Sequence, residues 1–319
     1  MIKAFFSRVK RRNNNVYYID RVSKKKQKEK IYGEKALLFL YGKSSFWLIP
    51  WVFIARFFVA KLPFFSRMYG ALQKTSYSRK KILPFIKQYA IDPEEFQDPV
   101  ATFSSFNAFF IRKLKLSARP FDQKQQTIAA FAEGRYLVFP DVDQVDQIYV
   151  KGQSFSLTSL LQSKKKAETY RSASLVLARL CPADYHRFHF PVDCVPQKAA
   201  AINGPLYSVN PLALMQNIGY LWENARVVTE LTGAFGQMLL IEIGATNVGS
   251  IIQTYAPKKR YLKGEEKGYF SFGGSCMIAL FPKGAVEFSS DLLEHTSQGL
   301  ETKVRLGETI GSWKKALTF

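Results

Sequence analysis

The sequence predicts an α+β protein in which a helical, membrane-facing N-terminal region precedes a β-rich core. Up to about residue 125, long apolar runs carry the signals of helices. From about residue 126 onward, short alternating or apolar runs are separated by Gly, Pro and Asn, which is typical of strands and turns. The chain has 319 residues, of which 47% are hydrophobic, so it is long enough to bury a substantial core.

Residues 1–35 form a basic N-terminal arm, which we expect to be loosely ordered. This arm holds twelve basic and three acidic side chains, and the whole chain carries a formal net charge of +21. Such a charge suits either nucleic acid or an anionic membrane surface as a partner. The start of the chain has neither the apolar stretch nor the cleavage site of a secretory signal.

Residues 36–125 are expected to be a mostly helical, membrane-associating region. Helical segments are predicted at residues 82–89, with Pro84 in the first turn, and at residues 104–111. Residues 46–60 are rich in aromatic and aliphatic side chains, but Pro50 and Arg56 interrupt them. A helix lying in the membrane interface is favoured there, and a spanning helix or a buried helical hairpin stays open.

These aromatic residues favour an anionic membrane surface over nucleic acid as the partner, so no nucleic acid is expected. The predicted location is peripheral, on the cytoplasmic face of the cell membrane. Three scattered cysteines make no disulfide framework and suit a reducing compartment.

Residues 126–319 are predicted to be the β-rich core, with strands at residues 147–150, 238–243 and 251–255. Within it, Gly273, Gly274, Ser275 and Cys276 separate two strand-like runs. The two glycines permit a tight turn and leave the carbonyl of Gly274 uncrowded. The hydroxyl of Ser275 could attack that carbonyl if a base removed its proton. An ordinary Gly-Gly hairpin is the commoner interpretation of the tetrapeptide alone.

Two of the three histidines, His186 and His189, lie three residues apart after a strand-like run. Histidine is the side chain best suited to proton transfer near neutral pH. The pair could also be half of a metal site or two packed core residues. No second closely spaced pair of ligands accompanies it, so no metal is expected.

In this order and at these intervals, the motifs resemble those of the phosphatidylserine decarboxylase family. The likeness runs from about Tyr18 to about Trp313 and is closest to the branch whose processing site is Gly-Gly-Ser. The matching stretches are residues 18–21, 33–42, 109–115, 118–122, 151–152, the histidine segment, 243–250 and 263–270.

The resemblance implies that the chain cuts itself between Gly274 and Ser275. Attack by Ser275 Oγ, followed by β-elimination and loss of ammonia, would leave a covalent pyruvoyl group at position 275. The products would be a β chain of residues 1–274 and an α chain of residues 275–319, held as a heterodimer, with further oligomerisation left open. By the family pattern His189 is the base for self-cleavage, and His186 faces the substrate.

The implied reaction is that of a carboxy-lyase acting on phosphatidylserine. The substrate amine would form a Schiff base with the pyruvoyl group, which accepts the electrons released with carbon dioxide, and phosphatidylethanolamine would leave. The pyruvoyl group from Ser275 is therefore the only cofactor expected. The sequence has no Gly-x-x-x-x-Gly-Lys or Gly-x-Gly-x-x-Gly motif for a nucleotide.

Two positions depart from the family pattern. Glu133 replaces the aspartate that orients the self-cleavage histidine, and we expect it to keep that charge-relay role. Asp184 is an alternative carboxylate for the same task. Cys276 stands where Ser or Thr is commoner, and we expect it to be a small core residue.

Two other functions stay open at this point. A serine hydrolase using Ser275 is weakened by Met277, which breaks the Gly-x-Ser-x-Gly pattern. A membrane-binding relative without activity, disabled by Glu133, is the other alternative.

Overall fold

The computed structural model describes residues 16–41, 51–52, 63–142, 156–245 and 250–314, with the backbone alone at residues 63–67. The fold is mixed α+β, as the sequence predicts, with many strands and few helices. Most of the aromatic segment at residues 46–60, and the strand predicted at 147–150, lie outside these ranges. In the described ranges no helix combines the length and the apolar character needed to cross a bilayer.

The α-helices are short, and four of the nine that are described lie before residue 120. The described helices are α1 (Glu34–Tyr41), α2 (Pro63–Gln73), α3 (Ile82–Tyr89), α4 (Phe106–Phe110), α5 (Leu157–Leu161), α6 (Lys164–Thr169), α7 (Pro211–Leu214), α8 (Tyr220–Glu223) and α9 (Ser290–Ser297). The helix predicted at residues 82–89 is confirmed, with Pro84 in its first turn. Helix α4 begins after Ser105, whose side chain accepts a hydrogen bond from the backbone N–H of Ala108.

Sixteen strands are described, and they form one large and two small sheets. They are β1 (Tyr17–Asp20), β2 (Lys25–Lys28), β3 (Thr127–Ala129), β4 (Gly134–Phe139), β5 (Ser174–Leu180), β6 (Arg187–His189), β7 (Val195–Pro196), β8 (Ala200–Ile202), β9 (Arg226–Gly233), β10 (Gly236–Gly244), β11 (Ile251–Gln253), β12 (Glu266–Phe270), β13 (Ser275–Phe281), β14 (Val286–Phe288), β15 (Glu301–Val304) and β16 (Thr309–Trp313).

The large sheet has the order β2-β1-β15-β4-β5-β13-β10-β9-β7, with β8 also paired to β9. The small sheets are β11-β12-β6 and β14-β16-β3. Strand β13 is central: it pairs antiparallel with β5 on one side and with β10 on the other. Because β13 begins at Ser275, the predicted cleavage position lies at the end of a central strand, opposite Leu180 and Gly244.

The described part of the N-terminal arm, residues 16–35, differs from the loosely ordered segment that we expected. Strands β1 and β2 form a ribbon, and β1 joins the large sheet through parallel pairing with β15. The reason lies on the inner side of the ribbon, where Val16, Tyr18 and Glu29 are buried. The lysines of β2 are exposed. The high charge of this segment therefore led to a prediction of loose order, although the segment also contains side chains that are buried.

The core has three parts. Apolar side chains pack on both faces of the large sheet, one group around Leu177, Leu239 and Ile278 and the other around Tyr136, Phe188 and Met277. A third, mostly aromatic cluster belongs to the helical region and includes Phe272, the residue that precedes the glycine pair. The helical region is thereby packed against the turn that carries the predicted cleavage position.

Candidate active site

The turn at Gly273 and Gly274 connects β12 to β13. Gly273 has a φ of 150°, a conformation that side-chain-bearing residues rarely adopt. A Cβ added at Gly274 would meet only the Cβ of Ala245, at 3.9 Å, so the space beside the α-carbon of Gly274 is open. Ser275 follows directly and is fully buried.

The side chain that meets Ser275 is His186. Its Nδ1 atom lies 3.3 Å from Ser275 Oγ, slightly beyond the ordinary hydrogen-bond length of a ground-state catalytic pair. The imidazole ring is fully buried and packs on the ring of Phe110 in α4, with 4.0 Å between the centroids. Helix α4 therefore holds one face of this imidazole.

The other nitrogen of His186 fixes the tautomer. Nε2 lies 2.9 Å from the carbonyl oxygen of Cys181, and since a carbonyl can only accept, Nε2 carries the proton. Burial lowers the pKa of His186 to about 3, so the ring is neutral at physiological pH. Nδ1 then has a free lone pair directed at the hydroxyl of Ser275, which is the arrangement of a nucleophile and its base.

His189 lies elsewhere. Its Nδ1–H donates to the carbonyl of Gly264 at 2.8 Å, and its Nε2 atom is buried without a hydrogen-bond partner among the described residues. The side chain borders a cavity of 630 Å³ that Lys113 and Lys115 also line. Burial lowers the pKa of His189 as well. No hydrogen bond joins His189 to Ser275 in the part of the chain that is described.

The two candidate carboxylates are bound to arginines. Glu133 accepts a hydrogen bond from Arg119 Nε at 2.6 Å, and Asp184 accepts from Arg135 Nη1 at 2.6 Å. A buried carboxylate needs a charged partner, and a guanidinium satisfies that need better than a neutral imidazole. Neither carboxylate has a hydrogen bond to a histidine among the described contacts, so the charge-relay role of Glu133 stays a prediction.

A cavity of 620 Å³ reaches the glycine pair from the side of the N-terminal segment. Tyr32 and Leu37 give it an apolar wall, while Glu29 and Arg179 give it a charged one. Gly273 and Gly274 also line it. A small polar group entering this cavity would approach the bond between Gly274 and Ser275.

The structure adds two contributors that sequence reasoning missed, the carbonyl of Cys181 and the ring of Phe110. The first is a backbone carbonyl, and since every residue has one, the identity of residue 181 does not predict this role. The second comes from a phenylalanine-rich helix in which no single ring is distinguished by the sequence.

Cys276 lies in the core, as expected, and burial raises the pKa of its thiol. Among the described residues, no three His, Cys, Asp or Glu side chains are grouped in a way that could hold a metal ion.

A buried serine behind two glycines, in contact with a neutral histidine, provides the groups that a self-processing serine enzyme needs. Comparison with known proteins gives the family. The family model described as "Phosphatidylserine decarboxylase" matches residues 106–312. The chain belongs to the phosphatidylserine decarboxylase family.

Similar proteins align over nearly the whole chain. One from Chlamydia pneumoniae is 46% identical over 92% of this chain and 96% of its own length. One from Chlamydia felis is 45% identical over 92% of this chain and 97% of its own. One from Fusobacterium nucleatum is 39% identical over 94% of this chain and 98% of its own. All three bear the name "Phosphatidylserine decarboxylase proenzyme".

Proposed function

We propose that this chain is a self-processing decarboxylase that converts phosphatidylserine to phosphatidylethanolamine and carbon dioxide. The observation that carries the proposal is the contact between Ser275 Oγ and His186 Nδ1 behind a Gly-Gly turn, in a chain of this family. The word "proenzyme" in the names of the relatives fits a chain that must be processed before it acts.

Self-cleavage starts at Ser275. Oγ attacks the carbonyl carbon of Gly274, the bond from that carbon to the nitrogen of residue 275 breaks, and the proton of Oγ ends on that nitrogen. His186 Nδ1 carries the proton between the two atoms, because its lone pair already faces Oγ. β-Elimination then removes the proton from Cα of residue 275 and releases the carboxylate of Gly274, which leaves a dehydroalanine. Its imine tautomer is hydrolysed by water to a pyruvoyl group and ammonia. The products are residues 1–274 and residues 275–319.

The family pattern assigns the base role to His189 with Glu133 as its partner, whereas the contacts favour His186. We choose His186 because the 3.3 Å contact and the fixed tautomer need no rearrangement of the fold. His189 instead borders the other cavity, and its Nε2 lone pair is unshared among the described residues. If His186 is the base, replacing it should stop self-cleavage and replacing His189 should not. If His189 is the base, the opposite should be seen.

Position 275 fits a pyruvoyl group. The residue is buried directly after two glycines that line a cavity, and the neutral His186 lies 3.3 Å from its side chain. Such a group supplies an electrophilic ketone that takes up the electron pair released with carbon dioxide. The neutral imidazole beside it can hold or return a proton at the reacting carbon.

The cavity suits the polar end of a phospholipid. A volume of 620 Å³ lies in the range of small-molecule sites and is sufficient for a headgroup, and its apolar wall follows helix α1. The headgroup would enter between α1 and the glycine turn, with the acyl chains near the helical region.

The helical region at residues 36–125 is the part that we expect to meet an anionic membrane surface. Six of the nine large hydrophobic side chains that are exposed among the described residues lie between Phe39 and Leu83. Arg79 and Lys80 are exposed, and the neighbouring Lys81 is half-buried. Apolar side chains beside basic ones suit peripheral binding to anionic lipid at the cytoplasmic face.

The first experiment is intact mass spectrometry of the purified wild-type chain together with Ser275→Ala, His186→Gln and His189→Gln. We expect wild type to give two chains split after Gly274, and Ser275→Ala to give one full-length chain. Full-length His186→Gln with processed His189→Gln would support His186 as the base. The reverse pattern would support His189.

The processed protein is then incubated with phosphatidylserine in mixed micelles, and carbon dioxide release is measured. A wild-type chain that stays full-length, or a processed chain that releases no carbon dioxide, would overturn the proposed function.

A further inference from the structure

We propose that Lys30 binds the phosphate of the phospholipid headgroup in the cavity that reaches the glycine pair. The inference rests on the proposed function, because it names a contact for the headgroup of the substrate proposed above. It does not depend on which histidine acts in self-cleavage. The unpaired charge of Lys30, an excess of negative charge in the neighbouring wall and the positions of these two groups in the fold support it.

The charge of Lys30 is the only one lining this cavity that has no opposite charge as a partner among the described residues. The three charged side chains that line the cavity are Glu29, Lys30 and Arg179. Arg179 donates to Glu29 at 2.7 Å and to Glu301 at 2.6 Å, so its charge is neutralised. Lys30 is exposed, and its described hydrogen bond is a 3.3 Å contact from Nζ to the carbonyl of Gln88.

The wall formed by Glu29 and Arg179 belongs to a buried cluster that carries an excess of negative charge. This cluster holds two arginines and three carboxylates, all of them buried, namely Arg135, Arg179, Glu29, Asp184 and Glu301. One negative charge is therefore left without a partner inside the cluster. Because a buried charge is costly unless it is compensated, this wall should attract a cation and repel a phosphate.

The cluster and Lys30 lie beside different parts of the fold. Arg179 is paired with Cys276 across β5 and β13, so the cluster lies next to the residue that follows Ser275. Lys30 instead contacts Gln88, near the end of helix α3 in the helical region. The negative wall is therefore close to position 275, and the free positive charge is close to the helical region.

The headgroup of phosphatidylserine has its charges in the complementary order. Its amine has to reach position 275, and its phosphate lies between that amine and the acyl chains, which we place near the helical region. The negative wall then faces the amine, and Lys30 faces the phosphate. An ammonium has three hydrogen-bond donors, so Lys30 can bind phosphate oxygens even while it donates to Gln88.

The test measures lipid binding to the uncleaved Ser275→Ala chain by isothermal titration calorimetry. The probes are dihexanoyl phosphatidylserine and dihexanoyl phosphatidic acid, both kept monomeric so that binding to a membrane surface does not contribute. We expect Lys30→Met to weaken binding of both lipids about tenfold, the usual effect of losing a charge-assisted hydrogen bond. Lys30→Arg keeps the charge and should weaken binding less.

Lys28→Met is the matched control. Lys28 is also an exposed lysine of the N-terminal arm, but it does not line the cavity. Its replacement changes the net charge equally and should leave lipid binding unchanged. Equal weakening in the two variants would reveal a general charge effect and overturn the proposal.

The two probes identify the group that Lys30 contacts. If Lys30→Met weakened the binding of phosphatidylserine alone, Lys30 would contact the carboxylate of the serine, and the phosphate site would be wrong. Failure of phosphatidic acid to bind the Ser275→Ala chain would have the same meaning. Displacement of either lipid by an equal concentration of inorganic phosphate would indicate a site for free phosphate and would also overturn the proposal.

A kinetic measurement on the processed enzyme separates this inference from the proposed function. With monomeric phosphatidylserine, we expect Lys30→Met to raise KM about tenfold and leave kcat unchanged, because the contact is made equally before and during the reaction. If wild type neither cleaves itself nor releases carbon dioxide, the proposed function falls, and binding to the uncleaved chain still tests Lys30. Wild-type binding by Lys30→Met would overturn the phosphate site and leave the proposed function standing.

Discussion

His186, the base in the proposed mechanism, shows at the scale of one residue how burial changes the proton affinity of a side chain. Burial lowers the pKa of this ring to about 3. The ring therefore binds a proton poorly and is neutral at physiological pH. Such a group is useful when it transfers a proton between two neighbouring atoms, as between Ser275 Oγ and the nitrogen that leaves.

The pH dependence of self-cleavage follows from this pKa. An ordinary histidine is half protonated at about pH 6.5, and the fraction in the neutral form that can accept a proton falls about tenfold per pH unit below that value. Because the pKa of His186 is lowered, protonation sets in only near pH 3, so we expect the self-cleavage rate to be flat from about pH 5 to 8. The measurement is a pulse-labelled cell-free product transferred to buffers of different pH. A decline centred near pH 6.5 would show that the base titrates normally.

At the scale of elements, the spacing of β4 and β5 is set by a glycine. A Cβ at Gly134 would lie 2.7 Å from the carbonyl oxygen of Arg179, closer than such atoms approach. Gly134 stands between Glu133 and Arg135, which bind Arg119 and Asp184 respectively. One glycine therefore fixes the strand separation on which two buried ion pairs depend.

Gly134→Ala should push the two strands apart and lower the free energy of unfolding by about 1–3 kcal/mol, the usual cost of overpacking. Gly274→Ala is the control, since its Cβ would meet only the Cβ of Ala245 at an ordinary 3.9 Å. Both are made in the Ser275→Ala background, so that processing does not interfere, and are compared by urea unfolding. Equal stability of the two variants would contradict the assigned role of Gly134.

At the scale of the whole molecule, the predicted small chain is interleaved with the large one. Strand β13 lies between β5 and β10, and β15 lies between β1 and β4. Arg179 of the large chain also forms a buried ion pair with Glu301 of the small chain at 2.6 Å. A cut at residue 274 removes one covalent bond and leaves this pairing in place.

We therefore expect the two chains to elute together in size-exclusion chromatography under native conditions and to separate only in strong denaturant. Backbone pairing on both sides of β13 and burial of all its side chains provide the physical reason. Mass spectrometry of the native peak identifies both chains. Loss of residues 275–319 from that peak would show that the small chain is held more weakly than its place in the sheet indicates.

The sequence by itself was sufficient to predict several features of this protein. The Gly-Gly-Ser turn, the nearby histidine pair, helix α3 and strand β10 follow from residue types and their spacing over a few positions, and the family follows from the order of such motifs. The tertiary structure decided which histidine meets Ser275. His186 and His189 are three residues apart in an extended segment, so their side chains point to opposite sides, and nothing local says which side faces β13. The tertiary structure also decided that Glu133 and Asp184 bind arginines and that strand β1 of the basic arm pairs with β15. Neither result could be predicted from local sequence, because the partners are distant along the chain.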